Sequence, residues 1–284
     1  MQRAYFIHAL SPLHPGTGQA QGAIDLPIAR LRGTGIPYLP GSSVKGVLRD
    51  AYREEGLHNA VFGPPVKLGQ EDTRFSGALA FGDARLLALP VRSFHGTFAW
   101  VTSPLLLRLA RRDLEWSHQI PGAYSVKGKG WIGVTQSTVL AANGHVFLED
   151  LECPMNEKEQ DLVSLWAKSL GQLVLKEDVE IFTERFAVVD DETMTFLWEH
   201  STQVDARVRI NEQGVVQDGA LWYEESLPAE TLLLGVAAVI KSGERPDQWL
   251  DYCLGEERAN LQFGGKATVG RGRARLVPVT GERR

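Results

Sequence analysis

Several things are scarce in this sequence of 284 residues, and each scarcity excludes something. Cysteine occurs only as Cys153 and Cys253, with neither metal-ligand spacing nor a disulfide framework, which fits a reducing compartment. No metal-cluster spacing is present, and no Ser/His/Asp or Cys/His arrangement for nucleophilic catalysis. The longest apolar run, "LLLGVAAVI" at 232–240, is far too short to span a bilayer. The opening "MQRAYFIHALSPLHPG" meets Pro and His too soon for a secretory signal. There is no tandem repeat and no low-complexity linker. The expectation is a soluble, cytoplasmic protein with no membrane partner. A formal net charge of −5 argues against free, non-specific binding to nucleic acid.

What is present is ordinary in amount and uneven in placement. A hydrophobic content of 43% and a charged content of 23% are those of a globular chain, long enough to bury a sizeable core. Acids dominate between Glu149 and Glu199, as in "DDE" at 190–192. Bases gather at 30–53, as Arg30, Arg32, Lys45, Arg49 and Arg53, and again from Lys266 through Arg271, Arg273 and Arg275 to Arg283 and Arg284. Two basic stretches on an acidic body make one surface only if folding joins them.

Patterning places the elements. "AYFIHAL" (4–10) reads as a strand closed by Ser11 and Pro12. "GSSVKGVLRDAYREEG" (41–56) reads as a helix with Ser42 or Ser43 as N-cap and Gly56 as C-cap, burying Val44, Val47, Leu48 and Ala51. Strands are expected over 77–91 and 97–104, a helix over 104–116, a buried strand over 229–240, a helix over 245–255 and a last strand over 272–279. Strand–helix–strand at each end predicts an α+β, ferredoxin-like core, one domain built from about 1–124 and 227–284. Residues 125–226 are expected to form an insertion of strand-like pieces interrupted by acidic stretches. The first strand and first helix are about 30 residues apart, against the usual two to six, which marks an ordered, functional loop. His14 and Asp25 lie in it.

Five motifs carry candidate chemistry. In "GAIDLPIAR" (22–30), Asp25 is a lone acid in an apolar, proline-stiffened segment, either a turn residue or a functional carboxylate. "PGSSVKGVLR" (40–49) lacks phosphate-loop spacing, but free N–H groups at Ser42 to Lys45 favour an anion, and Lys45, Arg49 and Arg53 form a basic stripe; a solvated face is the plain alternative. "FGGKATVGRGRARL" (263–276) combines glycines that admit a ligand closely with Lys266 and with Arg271, Arg273 and Arg275, which an extended chain would place on one face; an ordinary hairpin is the alternative. Residues 199–225 alternate as a β-hairpin turning near Asn211–Gly214, with Arg207 and Arg209 on its polar face. In "VKGKGWIGVT" (126–135), Trp131 would suit stacking on a base, unless this is a plain loop.

"FIHALSPLHPGTGQAQGAIDLPIAR", "TGIPYLPGSSVKGVLRD", "DGALWYEESLP" and "FGGKATVGRGRARL" together resemble the RAMP superfamily of CRISPR proteins, and more narrowly the RNA-cleaving backbone subunit of type III-B (Cmr) effector complexes. The resemblance implies that this core is a ferredoxin-like (modified RNA-recognition-motif) palm with a β-hairpin thumb, copies stacked head to tail along a CRISPR guide RNA, and contacts with target single-stranded RNA and other Cmr subunits. It implies that the catalytic acid falls on Asp25, which also touches a divalent metal (Mg²⁺ or Mn²⁺), and that His14 lies near the scissile site. Ser42, Ser43, Lys45 and Arg49, with Gly264, Gly265, Lys266, Thr268, Gly270, Arg271 and Gly272, would hold the guide backbone. Arg207 and Arg209 would belong to the thumb. Cleavage leaving a 2′,3′-cyclic phosphate uses the RNA's own 2′-hydroxyl, so alignment matters most and one carboxylate can suffice. The rivals are a non-catalytic scaffold, the equivalent type III-A backbone subunit, and a stand-alone small-molecule enzyme.

Overall fold

The computed structural model describes residues 1–18, 24–53, 56–64, 75–114, 120–124, 128–241, 246–255 and 258–279. Residues 54–55, the end of the expected 104–116 helix, Lys127, Arg283 and Arg284 lie outside that set. The chain opens with β1 (Gln2–Ala9), β2 (Tyr38–Leu39), α1 (Gly41–Ala51), α2 (Leu57–Phe62), β3 (Leu79–Phe81), β4 (Ala84–Arg92), β5 (Phe98–Thr102) and α3 (Pro104–Leu114). Its middle holds β6 (Ile132–Val134), β7 (Ala141–Ala142), β8 (His145–Leu148), β9 (Leu151–Pro154), α4 (Gln160–Val174), α5 (Val179–Arg185), β10 (Phe186–Val189), α6 (Asp191–His200), β11 (Gln203–Ile210) and β12 (Val216–Ser226). It closes with β13 (Leu232–Val239), α7 (Pro246–Leu254), β14 (Ala259–Gln262) and β15 (Arg273–Pro278).

One large sheet runs in the order β14-β15-β1-β13-β4-β5-β10-β6. Its centre, β15-β1-β13-β4, is antiparallel throughout. With α1 between β1 and β4 and α7 between β13 and β15, this is the split βαβ order expected from the ends of the chain. The 125–226 interval supplies both the β11–β12 hairpin and two further strands of this sheet, β6 and β10.

Both faces of the central strands are covered, which is why β1 is buried from Ala4 to Ala9 rather than alternating. On one face Tyr5 and Ile7 meet Val44 and Leu48 of α1 and Leu250, Cys253 and Leu254 of α7. On the other, Ala4 and Phe6 join a cluster with Leu107 and Leu114 of α3 and Val163, Trp166 and Leu170 of α4. The three helices of the middle were read in advance only as strand-like pieces. Yet α4 buries Val163, Trp166, Ala167, Leu170 and Val174 at helical spacing, beside its acidic flank.

The first helix differs at both ends from the expectation. Its N-cap is Pro40, with no side-chain cap, so Ser42 and Ser43 lie inside the first turn. It stops at Ala51, and Gly56 instead precedes α2. The start is positioned by contact: Gly41 donates its N–H to Asp83 Oδ1 at 2.9 Å. A Cβ on Gly41 would overlap the Phe81 carbonyl, whereas one on Gly46, further along the same helix, meets nothing within 4 Å. Among the described residues no helix is long and apolar enough to cross a membrane.

Gly41→Ala should therefore lower unfolding free energy by at least about 2 kcal/mol. Gly46→Ala should raise it by about 0.5–1 kcal/mol through helix propensity alone. Urea unfolding of the two variants beside the parent checks both signs.

Candidate functional site

The long loop after β1 folds back and lies along β12. Leu26 pairs with Glu224 as a parallel bridge; its N–H donates to the Tyr223 carbonyl at 3.1 Å, and its own carbonyl accepts from Glu225 N–H at 3.0 Å. Ile28 and Ala29 are buried, so the apolar flank pins the segment while Asp25 faces out and is exposed. Asp25 Oδ2 accepts the Tyr223 N–H at 2.8 Å. That bond fixes the direction of the carboxylate through one oxygen and leaves the other outward.

Glu225 holds this arrangement from beneath. Its carboxylate is 2% exposed and fully partnered. Oε2 accepts Ile28 N–H at 3.0 Å, and Oε1 accepts Thr202 Oγ1–H at 2.9 Å and pairs with the Arg30 guanidinium. Arg30 also donates to the Trp198 carbonyl at 3.1 Å, tying in α6. The Glu225 carbonyl accepts a hydrogen bond of 2.6 Å from His14 Nδ1, which sets the tautomer of that ring. His14 is buried, and a Cβ on Gly16 would lie 2.6 Å from its Nε2. Sequence reasoning passed over Glu225. The available signal was two adjacent acids in "ALWYEESL", a stretch otherwise suited to a buried strand end.

The glycine-rich loop packs against the same region, and β14, which leads into it, lies against α1, so folding brings the two basic stretches near one another. Gly265 N–H donates to the His14 carbonyl at 3.0 Å, and Gly272 N–H to Pro12 at 2.8 Å. Its cations, however, are spoken for. Lys266 Nζ lies 2.7 Å from Glu224 Oε1, and Arg207 Nε lies 3.4 Å from Glu224 Oε2. Arg271 is only 6% exposed and pairs with Asp205 of β11. The expected common face of Arg271, Arg273 and Arg275 is corrected accordingly: Gly272, at φ 80°, turns the chain, and only the latter two share a strand. Burial alone would push the Glu224 carboxyl up. Hydrogen bonds from Lys266 and Trp222 and the charges of Lys266 and Arg207 outweigh it and hold the group below the usual Glu range.

On α1 the end of the helix is partly used. Besides Gly41, Ser43 and Val44 donate to the Pro40 carbonyl, leaving Ser42 N–H without an acceptor among the described residues. Lys45 Nζ donates to the Leu79 carbonyl at 3.2 Å. Burial, then the neighbouring Arg49, lowers its pKa. Arg53 pairs with Asp50, while Arg49 has no partner among the described residues.

The β11–β12 hairpin turns at Asn211–Val215 as expected, with Asn211 Oδ1 accepting from Gln213 and Val215 N–H. Its faces are inverted. Asp205, Arg207, Trp222 and Glu224 face the body, while Val204, Val208, Ile210, Val216 and Leu221 are exposed, Ile210 at 60%. A bulge between Val208 and Ile210 leaves Arg209 exposed, so it does not join Arg207. Trp131 is not free to stack on a base. It is 8% exposed, lies nearly parallel to Tyr124, and donates Nε1–H to the Gly128 carbonyl at 3.0 Å. Among the described residues no group of three or more His, Cys, Asp or Glu side chains is placed to hold a metal.

Comparison with known proteins places this geometry. The RAMP superfamily matches residues 6–275 of the chain. A CRISPR system Cmr endoribonuclease Cmr4 of Pyrococcus furiosus is 35% identical over 294 residues, covering 98% of this chain and 95% of that one. Oligomeric Cmr4 from Pyrococcus furiosus, a crystal structure, is similar at 27% identity with a TM-score of 0.76, covering 98% of each chain. A chain of the type III-B Cmr-beta complex bound to cognate target RNA shares the fold at 21% identity and a TM-score of 0.74, covering 98% of this chain and 97% of that one.

Glu225→Ala should cost about 3 kcal/mol, because Arg30 and the Ile28 N–H lose a buried partner. Hydrogen exchange should then accelerate at Leu26 and Ile28 before the sheet opens. Since the Glu224 carboxyl is held low, its contribution is present above the ordinary Glu range and is lost as pH falls through its folded value. The stability gap between parent and Glu224→Gln should thus shrink as pH is lowered from about 7 to about 3, read by urea unfolding at each pH.

Proposed function

The chain belongs to the RAMP superfamily, and on that premise we propose that it is the target-cleaving backbone subunit of a type III-B CRISPR ribonucleoprotein. It is an endoribonuclease. Its partners are a guide RNA, a single-stranded target RNA, further copies of itself stacked head to tail, and the other Cmr subunits. The buried thiols Cys153 and Cys253, without disulfide pairing, fit a cytoplasmic setting.

The observation that carries this reading is Asp25: an exposed carboxylate, aimed by one hydrogen bond from Tyr223, on a loop that the hairpin base holds rigid. A nucleotide displaced from its stack can bring its 2′-hydroxyl in line with the adjacent phosphorus. The bond from O2′ to phosphorus forms as the bond to the 5′-oxygen breaks, and the outward oxygen of Asp25 takes the 2′-hydroxyl proton. Water protonates the departing 5′-oxygen, and the products are a 2′,3′-cyclic phosphate and a 5′-hydroxyl. His14, buried and committed through Nδ1 to the Glu225 carbonyl, is a positioning residue for this loop.

The exposed apolar face of the hairpin suits the wedge that separates stacked bases. Arg207 belongs to its base and Arg209 to its outer part. Ser42, Ser43, Lys45 and Arg49, with the loop from Gly264 to Gly272 including Thr268 and Gly270, form the track for the guide. Within that loop Lys266 and Arg271 reach RNA only by sharing or exchanging their carboxylate partners.

A divalent ion, Mg²⁺ or Mn²⁺, fits this site in one way only. The protein offers it only the free oxygen of Asp25, in place of that oxygen's role as base, so the ion would keep most of its water and lean on RNA phosphate. Its chemistry there is to neutralise charge on the phosphate.

Asp25→Asn keeps an oxygen for the Tyr223 N–H but removes the base. In the assembled complex it should slow target cleavage about 10²–10⁴-fold while guide and target binding stay within about twofold. Unchanged cleavage in that variant would assign the cutting elsewhere and leave this subunit a scaffold.

A further inference from the structure

In an RNA-recognition-motif sheet, the face opposite the helices carries the nucleic acid. Here α3 and α4 cover that face over the central strands, β1 included, yet its outer edge, β14 with the Arg273–Arg275 end of β15, stays accessible. Cross-strand register assembles a polar surface on this margin. Gln262 stands opposite Arg273, Asn260 opposite Arg275, and Arg275 in turn opposite His8. Directly paired residues project from the same face of a sheet.

Three features of this surface point to an anionic strand. Arg273 is exposed and Arg275 half-buried, and neither side chain has a hydrogen-bond or ion-pair partner among the described residues, unlike those of Arg271 and Lys266. Two positions along an extended strand separate them by about 6.6 Å, comparable to the step between successive phosphates of a nucleic-acid strand. His8 is 4% exposed, pairs through Nε2 with Glu230 at 2.6 Å, and keeps a buried Nδ1 without a partner among the described residues.

The surface is also continuous with the proposed guide track. A groove of about 730 Å³ runs between α1, at Gly46, Val47 and Asp50, and the edge of β14, at Asn260, Gln262 and Arg273. Asp50 in that groove is neutralised by Arg53. A strand leaving α1 thus reaches the two free arginines around an open sheet edge.

We propose that the β14–β15 margin is a second RNA-contact site, in which Arg273 and Arg275 hold two consecutive phosphates of a single strand and the Asn260 and Gln262 amides meet its bases or riboses. This rests on the RNA reading above but on residues that reading does not use. It separates this contact from the Asp25 site, since the arginines hold RNA and take no part in cutting.

The test is binding of a fluorescent single-stranded RNA to the purified full chain, by anisotropy over a range of salt. Removing two phosphate contacts should reduce the slope of log K against log salt by about 1.4 in the Arg273→Gln/Arg275→Gln double variant. The control, Arg111→Gln/Arg112→Gln on α3, should keep the parental slope. Equal circular dichroism and melting temperature establish that both variants are folded. An unchanged slope in the first variant overturns the proposal, and so does an equal change in both. Weakened self-association with unaltered RNA binding also overturns it and makes the margin a contact between copies. Failure of the parent chain to bind RNA at all would overturn the functional reading as well, which keeps the two failures distinguishable.

Discussion

The candidate site depends on one buried carboxylate. Glu225 spends its side chain on the loop after β1 and on α6 through Arg30, and its backbone on His14 and Leu26. A charge this deep is tolerable because both of its oxygens accept hydrogen bonds, and a guanidinium reaches Glu225 and the Trp198 carbonyl at once. The consequence is rigidity where the sequence has a long loop. Asp25 is exposed, but the strand beneath it is pinned at several points, as a group required to meet a reacting bond must be.

A second constraint follows from charge. A chain with a net charge of −5 that handles RNA has to decide which cations remain available. Here Glu224 and Asp205 take Lys266, Arg207 and Arg271 into the hairpin base, where they fasten the hairpin to the glycine-rich loop. Arg49, Arg273 and Arg275 keep no such partner among the described residues. Cationic residues adjacent in sequence thus divide into fasteners and free contacts, and the division is set by which acids the fold delivers to them.

The hairpin expresses the same economy. Its polar face is consumed by ion pairs with the body, so its apolar face is turned to solvent, the reverse of an ordinary surface hairpin. Such a surface is costly unless something covers it. In the proposed complex that role falls to bases, against which a β-branched and aliphatic wedge can pack without sequence preference.

Periodicity and turn chemistry were enough to read much of the ends of the chain: β1, α7 and β15 lie where their patterns put them, α1 does so in its body though not at its ends, and the turn at Asn211–Gly214 is in place, because these are local signals. Asp25 was legible as an acid out of place among apolar residues. The middle helices were obscured by their acidic flanks, and the cap at Pro40 by serines two and three residues further on. What only the tertiary structure decided is pairing at a distance. Whether Arg271 faces phosphate or Asp205, whether Trp131 is a platform or a buried wall, and which acid anchors the loop after β1 all depend on residues far apart in the chain. No local pattern encodes them, since a side chain's availability is fixed by the partner that folding brings to it.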